Sequence, residues 1–330
     1  MKPNLIVMCG LICSGKSTKA NELKNIYNAT IVSSDEIRLN YPGITNEKVF
    51  QKVYSQINDL LSKNINVILD ATNTTIKSRR QIFDKVKIDC FKICYIINTS
   101  YSECYKRLQN RNNGDYPIKI QSIVLDNYYK SFEIPFYNEG WDEIKVMNKP
   151  TYLEASQNLS VLGKACVGFD QRNKHHTSNL DIHLQNTGMY LMKLFNEDNY
   201  KHYNKEHNNC LITAGYWHDI GKLFTQTFKE GDPNAHYYSH ANIGAYTLLC
   251  SCGLYKLKEH LFEPYNNEND LYEYNEKKTL QWLFYINYHM HLYNVQTDKA
   301  YKKWLSIFGE DNYNGLKLLN EADKGSHIVN

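Results

Sequence analysis

Along the first 150 residues, short apolar runs alternate with longer amphipathic stretches. Leu5–Met8, Ile31–Ser33, Val67–Leu69, Ile93–Ile97 and Ile144–Met147 are brief and almost wholly apolar, as strands buried on both faces are. Between them, Glu47–Lys63, Ser78–Val86, Ser102–Asn110 and Ile118–Phe132 carry apolar residues at helical spacing. This alternation predicts a parallel α/β sheet flanked by helices. After Asn148-Lys149-Pro150 the strand-like runs nearly vanish. Leu180–Phe195, Cys210–Tyr216, Ala241–Cys250, Thr279–Asn287 and Lys299–Phe308 are amphipathic, so the remainder reads as all-helical. At about 150 residues per domain, a chain of 330 residues accommodates two, with boundaries at 1–150 and 151–330.

Composition adds an asymmetry. Residues 1–150 hold 21 Lys and Arg against 15 Asp and Glu, and no histidine; all 12 histidines lie in the second half. Phosphate binding asks for backbone amides, Lys and Arg, whereas metal binding asks for imidazoles, so the halves are suited to different sites. No apolar run reaches the roughly 18 residues of a membrane span, and Leu5–Met8 is too short for a signal peptide. The nine cysteines lack CxxC pairs and fit a reducing compartment as buried thiols. These features predict a cytoplasmic protein with no membrane partner.

The residues Gly10-Leu11-Ile12-Cys13-Ser14-Gly15-Lys16-Ser17-Thr18 complete a GxxxxGK[ST] loop between a strand and a helix. In that context the loop amides cradle phosphates, Lys16 reaches the β and γ oxygens, and Ser17 holds Mg²⁺. ATP and Mg²⁺ are therefore the expected cofactors, with Gly10, Ser14, Gly15, Lys16, Ser17 and Thr18 as their binding residues. Asp70, ending the third apolar run, stands where a second carboxylate approaches the metal. Asp35, with Arg38 one helical turn later, pairs a base for an acceptor hydroxyl with a cation for an anionic part of the same acceptor. Arg107 and Arg111, at i and i+4, repel each other unless an anion bridges them, which suggests a lid over the polyphosphate.

These motifs, with Asp70-Ala71-Thr72-Asn73, Arg79-Arg80 and Phe132 through Asp142, resemble the polynucleotide 5′-kinase domain over about residues 4–147. By that resemblance Asp35 activates a 5′-hydroxyl, Arg38 grips the adjoining 3′-phosphate, and Arg107 and Arg111 stabilise the transferring phosphoryl. The wider superfamily includes small-molecule kinases.

In the second half, Trp217-His218-Asp219-Ile220-Gly221-Lys222 places a His and an Asp side by side, able to ligate one metal or bridge two. With His183, His240, His289 and Asp323 the ordered series resembles the HD-domain phosphohydrolase superfamily, whose helices gather such ligands around one or two divalent metals. Mn²⁺, Ni²⁺, Co²⁺, Zn²⁺ and Fe all remain open. A metal there lowers the pKa of water towards about 7, and Lys222 would help to neutralise the phosphate. His291 is an alternative to His289. The stretch Gly168-Phe169-Asp170-Gln171-Arg172-Asn173-Lys174-His175-His176 is similar to the opening of the HD domain in bacterial CCA-adding tRNA nucleotidyltransferases, with Lys174 standing where that pattern has proline. This second resemblance, over about 168–328, implies phosphodiesterase and phosphatase action on 2′,3′-cyclic or 2′-phosphate ends and makes His176 a substrate-phosphate residue. His202, His207, His236, His260 and His327 read as surface or structural.

Together the two resemblances predict a bifunctional enzyme that heals nucleic-acid ends, RNA or DNA, with RNA favoured. No KxDG ligase motif is present, so sealing would fall to a separate RNA ligase acting in trans. A homo-oligomer remains open. Two other functions fit the same motifs: a small-molecule P-loop kinase fused to an HD nucleotidase, and a nucleotide-sensing module with an inactive HD site.

Overall fold

The computed structural model describes residues 2–172, 178–196, 204–256, 272–273, 275–295 and 297–326, with the last-but-two segment, 272–273, described as backbone. Two compact units form: residues 1–129 with 139–148, and residues 130–138 with 149–330. The second unit thus takes in a short segment ahead of the break expected at 150.

In the first unit the elements run β1 (Asn4–Gly10), α1 (Lys16–Ile26), β2 (Ala29–Ser33), α2 (Ser34–Asn40), α3 (Asn46–Ser62), β3 (Asn66–Asp70), α4 (Ile76–Lys85), β4 (Phe91–Ile97), α5 (Tyr101–Asn113), α6 (Ser122–Lys130) and β5 (Glu143–Val146). All five apolar runs are strands, ordered β2-β3-β1-β4-β5 and parallel throughout. Parallel strands need crossover connections, here the helices. Ile6, Met8, Ile68, Ile93 and Tyr95 pack on one face against Ala20 and Leu23 of α1. The arrangement brings the carboxyl ends of β1, β2 and β3 together, where ligands bind in open α/β sheets. Ser33 pairs with Asp70 there.

The helix expected over Ile118–Phe132 starts only at Ser122. Asn112 accounts for the difference: its amide donates to the Ile120 carbonyl (2.7 Å) and its oxygen accepts from the Ile120 N–H (3.1 Å). Both backbone groups are thereby taken out of any helical ladder.

The second unit contains α7 (Tyr152–Cys166), α8 (Leu180–Asn196), α9 (Lys205–Trp217), α10 (Lys222–Thr225), β6 (Gln226–Phe228), β7 (Ala235–Tyr237), α11 (His240–Cys252), β8 (Tyr255–Lys256), β9 (Tyr272–Glu273), α12 (Glu276–Tyr288), α13 (His291–Asn294), α14 (Asp298–Phe308) and α15 (Glu310–Gly325). It is largely helical, as expected, but two antiparallel ribbons, β6–β7 and β8–β9, interrupt it. Helices α8 and α9 approach closely because Gly188 and Gly215 face each other; a Cβ on Gly188 would stand 2.6 Å from the Tyr216 ring. Among the described residues no helix is long and apolar enough to cross a membrane.

Candidate functional site

The loop between β1 and α1 is held by backbone that only glycine tolerates at two points. A Cβ on Gly10 would lie 2.8 Å from Ser14 Oγ and 2.9 Å from the Ile97 carbonyl oxygen. Gly15 has φ 98°, in the left-handed region. The Gly10 N–H donates to the Thr72 carbonyl (3.0 Å), tying the loop to the turn after β3. The Ser14 carbonyl accepts from Thr99 Oγ1 (2.7 Å) and from Arg107 Nη1 (3.3 Å). Lys16 is buried, with its ammonium on the Leu11 carbonyl (2.6 Å).

Around this loop lies a cleft of 1240 Å³ whose lining includes Lys16, Ser17, Asp35, Arg38, Asp70 and Arg107, and also Arg111. The Ser17 hydroxyl faces the same cleft as the Asp70 carboxylate and favours its charged form. Burial pushes the Asp70 carboxyl up against the pull of Ser17 and Lys16, and burial pushes Lys16 down against the pull of Asp70. Two adjacent oxygens of this kind fit a hard cation such as Mg²⁺. In the same cleft Arg38 Nη1 donates to Asp35 Oδ1 (2.8 Å) and Arg38 Nη2 to Asn46 Oδ1 (2.8 Å). Arg107 is steadied by Glu103 (2.8 Å), which lessens its repulsion with Arg111; Arg111 lies 5.2 Å from the Tyr116 ring.

Arg79 and Glu139, 60 residues apart, form a two-pronged ion pair (Nε–Oε2 2.6 Å, Nη2–Oε1 2.6 Å) with both side chains fully buried. Arg79 Nη1 also donates to the Asn73 carbonyl (3.2 Å), and Trp141 Nε1 to Glu139 (3.1 Å). The pair thus anchors the turn that follows Asp70.

In the second unit α8, α9, α11, α12 and α15 deliver four imidazoles and two carboxylates to one buried place. His183 Nε2 lies 3.2 Å from His218 Nε2, 3.2 Å from Asp219 Oδ2 and 3.2 Å from Asp323 Oδ1. His240 Nε2 lies 3.1 Å from His289 Nε2 and 3.1 Å from Asp219 Oδ1. Two ligand trios result, His183/His218/Asp219 and Asp219/His240/His289, with Asp219 turning one oxygen to each. The other ring nitrogen of every histidine has its own partner: Nδ1 of His218, His240 and His289 meets the carbonyls of Gly215, Tyr237 and Ile286 at 2.9, 2.7 and 2.7 Å. His183 Nδ1 meets Ser326 Oγ at 3.0 Å. A carbonyl accepts only from N–H, so in the neutral rings of His218, His240 and His289 these bonds keep the proton on Nδ1 and leave Nε2 as a lone pair for a metal. The donor set therefore fits one or two borderline divalent metals.

Burial opposes charge here; at His289 it prevails and lowers the pKa, whereas at His218 and Asp219 the neighbours outweigh it. Burial lowers His218 and the Asp219 and Asp323 carboxylates more than reverse this, raising it to about 10. Burial raises the Asp219 carboxyl, and Lys222 with His218 holds it well below the usual range. Lys222 Nζ reaches Asp219 Oδ2 (2.6 Å) and Gln171 Oε1 (2.7 Å), so it belongs to the cluster itself. Gln171 and Ser326 support the cluster, and of the two only Gln171 stands in a sequence motif, Phe169-Asp170-Gln171.

His289 reaches the cluster and His291 does not. His291 instead packs 4.6 Å from Trp304 and 5.0 Å from Phe308, where burial pulls it down to about 4. His207 bonds Tyr285 and His236 bonds Asp232. His176, His202, His260 and His327 lie outside the described residues.

Residues 5–135 match a family model described as an AAA domain. No curated protein matches the chain. Among solved structures, the chain is similar to one in the Pnkp1/Rnl/Hen1 RNA repair complex, with 24% identity and a TM-score of 0.36. That match covers 38% of this chain and 42% of the other, less than half its length. A fungal RNA kinase matches at 18% identity and a TM-score of 0.34, over 44% of this chain and 74% of the other. A deoxyadenosine kinase from M. mycoides matches at 16% identity and a TM-score of 0.31, over 44% and 90%. By loop motif, sheet order and family match, the first unit has a P-loop fold, and a largely helical region with a buried His/Asp cluster follows it.

Proposed function

We propose that this chain heals nucleic-acid ends with two activities: ATP-dependent phosphorylation of a 5′-hydroxyl by residues 1–150, and metal-dependent removal of a 2′,3′-cyclic, 2′- or 3′-phosphate by residues 151–330. RNA is the favoured strand, because a cyclic phosphate needs a 2′-hydroxyl. The observation that supports this reading is the presence, on one chain, of two sites suited to different chemistry: the loop cleft with its Asp35–Arg38 pair and the four-histidine cluster.

In the kinase cleft, Lys16 and the loop amides hold the polyphosphate, and Ser17 with Asp70 would hold Mg²⁺. Asp35 takes the proton of the acceptor hydroxyl, a contribution worth about 10²–10⁴-fold. Arg38, freed from Asp35 as the acceptor enters, meets its phosphate, and Arg107 with Arg111 closes on the transferring group. In the second site the two trios would hold divalent metal. When bound, such a metal activates water and polarises a phosphoryl oxygen. Asp219 orients both trios, Lys222 offers a positive charge to the phosphate, and His176 is assigned to the same phosphate. A separate RNA ligase would then join the healed ends.

An RNA oligonucleotide with a 5′-hydroxyl and a 2′,3′-cyclic phosphate, incubated with ATP, Mg²⁺ and Mn²⁺, tests this directly. Mass spectrometry should find a phosphate gained at one end and lost at the other. ATP consumption with nucleosides or sugars, and both RNA ends untouched, would put a small-molecule kinase fused to a nucleotidase in its place.

A further inference from the structure

The β6–β7 ribbon leads straight into His240, and its two faces differ. Side chains alternate along a strand, so register decides which share a face. Gln226 pairs with Tyr237 and Phe228 with Ala235, which puts Tyr237 and Phe228 on one face. Thr227 and His236 stand on the other.

The first face starts at the metal-ligand cluster. Lys222, bonded to Asp219, lies 5.4 Å over the Tyr237 ring. Phe228 comes one pleat repeat farther out, about 7 Å along the strand. Its ring is 49% exposed, and the Arg172 guanidinium lies 5.7 Å over it. Arg172 is fastened to the ribbon through its carbonyl, which accepts from the Ala235 N–H (2.7 Å). Its Nε stands 3.5 Å from Asp170, but both side chains are more than 60% exposed and the attraction is screened. The order outward is therefore cation, aromatic, aromatic, cation. Aromatic faces that stack bases, interleaved with cations that track phosphates, are how single strands are bound.

We propose that this face binds the last nucleotides of a single-stranded nucleic acid whose end phosphate lies at the His/Asp cluster, with Phe228 stacking on a base and Arg172 meeting a phosphate. The inference rests on the phosphohydrolase reading and deepens it, since it selects polynucleotide ends over base-free phosphate esters.

The test uses the full chain loaded with Mn²⁺ and two substrates: a single-stranded RNA oligonucleotide ending in a 2′,3′-cyclic phosphate, and glycerol 1,2-cyclic phosphate, which has the same ring and no base. Phe228→Ala should raise KM for the oligonucleotide about 10-fold with kcat nearly unchanged. Hydrolysis of the glycerol ester should not change, Phe228→Trp should restore the oligonucleotide KM, and His236→Ala on the opposite face should alter neither. An unchanged oligonucleotide KM, or equal losses on both substrates, overturns the proposal. Independently, an oligonucleotide with 5-iodouridine at its last position should photo-crosslink within residues 226–238 or at Arg172, and a crosslink elsewhere overturns it. If the wild-type chain hydrolyses neither ester, the phosphohydrolase reading falls while the crosslink still decides the binding face.

Discussion

Asp219 is the residue on which the second site turns, because it belongs to both trios and gives one oxygen to each. Replacing it removes one ligand from each trio and leaves Lys222 without its carboxylate partner at 2.6 Å. Asp219→Ala should therefore strip bound metal to below about a tenth of the wild-type content, a drop of the kind that loss of a ligand or its support produces. Elemental analysis after gel filtration measures this. At the same scale, part of the site was legible and part was not. His218-Asp219 adjacent on a helix end, with His183, His240 and Asp323 at a distance, already marks a ligand series. Choosing between His289 and His291 was beyond it: both follow α12, and only the turn after Tyr288 sends one ring to Asp219 and the other to Trp304. Equally hidden were the carbonyls that fix the tautomers, since backbone acceptors leave no trace in residue identity.

Elements carry these residues, and two contacts between elements decide whether they arrive. The buried Arg79–Glu139 pair joins α4 to the residues ahead of β5 and holds the turn whose Thr72 carbonyl meets the Gly10 N–H. Removing one member leaves a buried charge alone. Arg79→Met should cost about 3–5 kcal/mol of stability, read from denaturant unfolding, and adding Glu139→Gln should recover part of it. In the second unit, α10 passes so close to α11 that a Cβ on Gly221 would sit 1.9 Å from the His240 carbonyl oxygen. Gly221→Ala should therefore push α11 away, lower the melting temperature by an amount corresponding to about 1–3 kcal/mol and reduce metal content, because His240 begins that helix. The strands were readable from apolar runs alone. These contacts were not, because a pairing over 60 residues, or a glycine kept for clearance, has no local pattern. The ribbon β6–β7 escaped for a related reason: three-residue strands are too short to show alternation.

Across the whole molecule, the division of chemistry makes a separable prediction. Lys16→Ala and Asp35→Ala should abolish 5′-phosphorylation and leave end-phosphate removal intact, and Asp219→Ala should do the reverse, scored on one doubly reactive oligonucleotide. Loss of both activities from either change would defeat the two-site account. The acceptor's nature is also a whole-molecule question, because it depends on how many phosphates the first half neutralises. That half carries a net +6, spread without a dense basic cluster. A single strand releases condensed counterions as its phosphates are neutralised, giving a slope of log K against log salt near −0.7 per phosphate. If Arg38 grips the first phosphate and one further cation tracks the next, the slope should be about −1.4. A nucleoside or sugar carries no such counterions, so its binding would stay nearly flat. Measuring acceptor binding between low and moderate salt, with Lys16→Ala to prevent turnover, thus counts the phosphates held and distinguishes a strand from a metabolite without reference to either product.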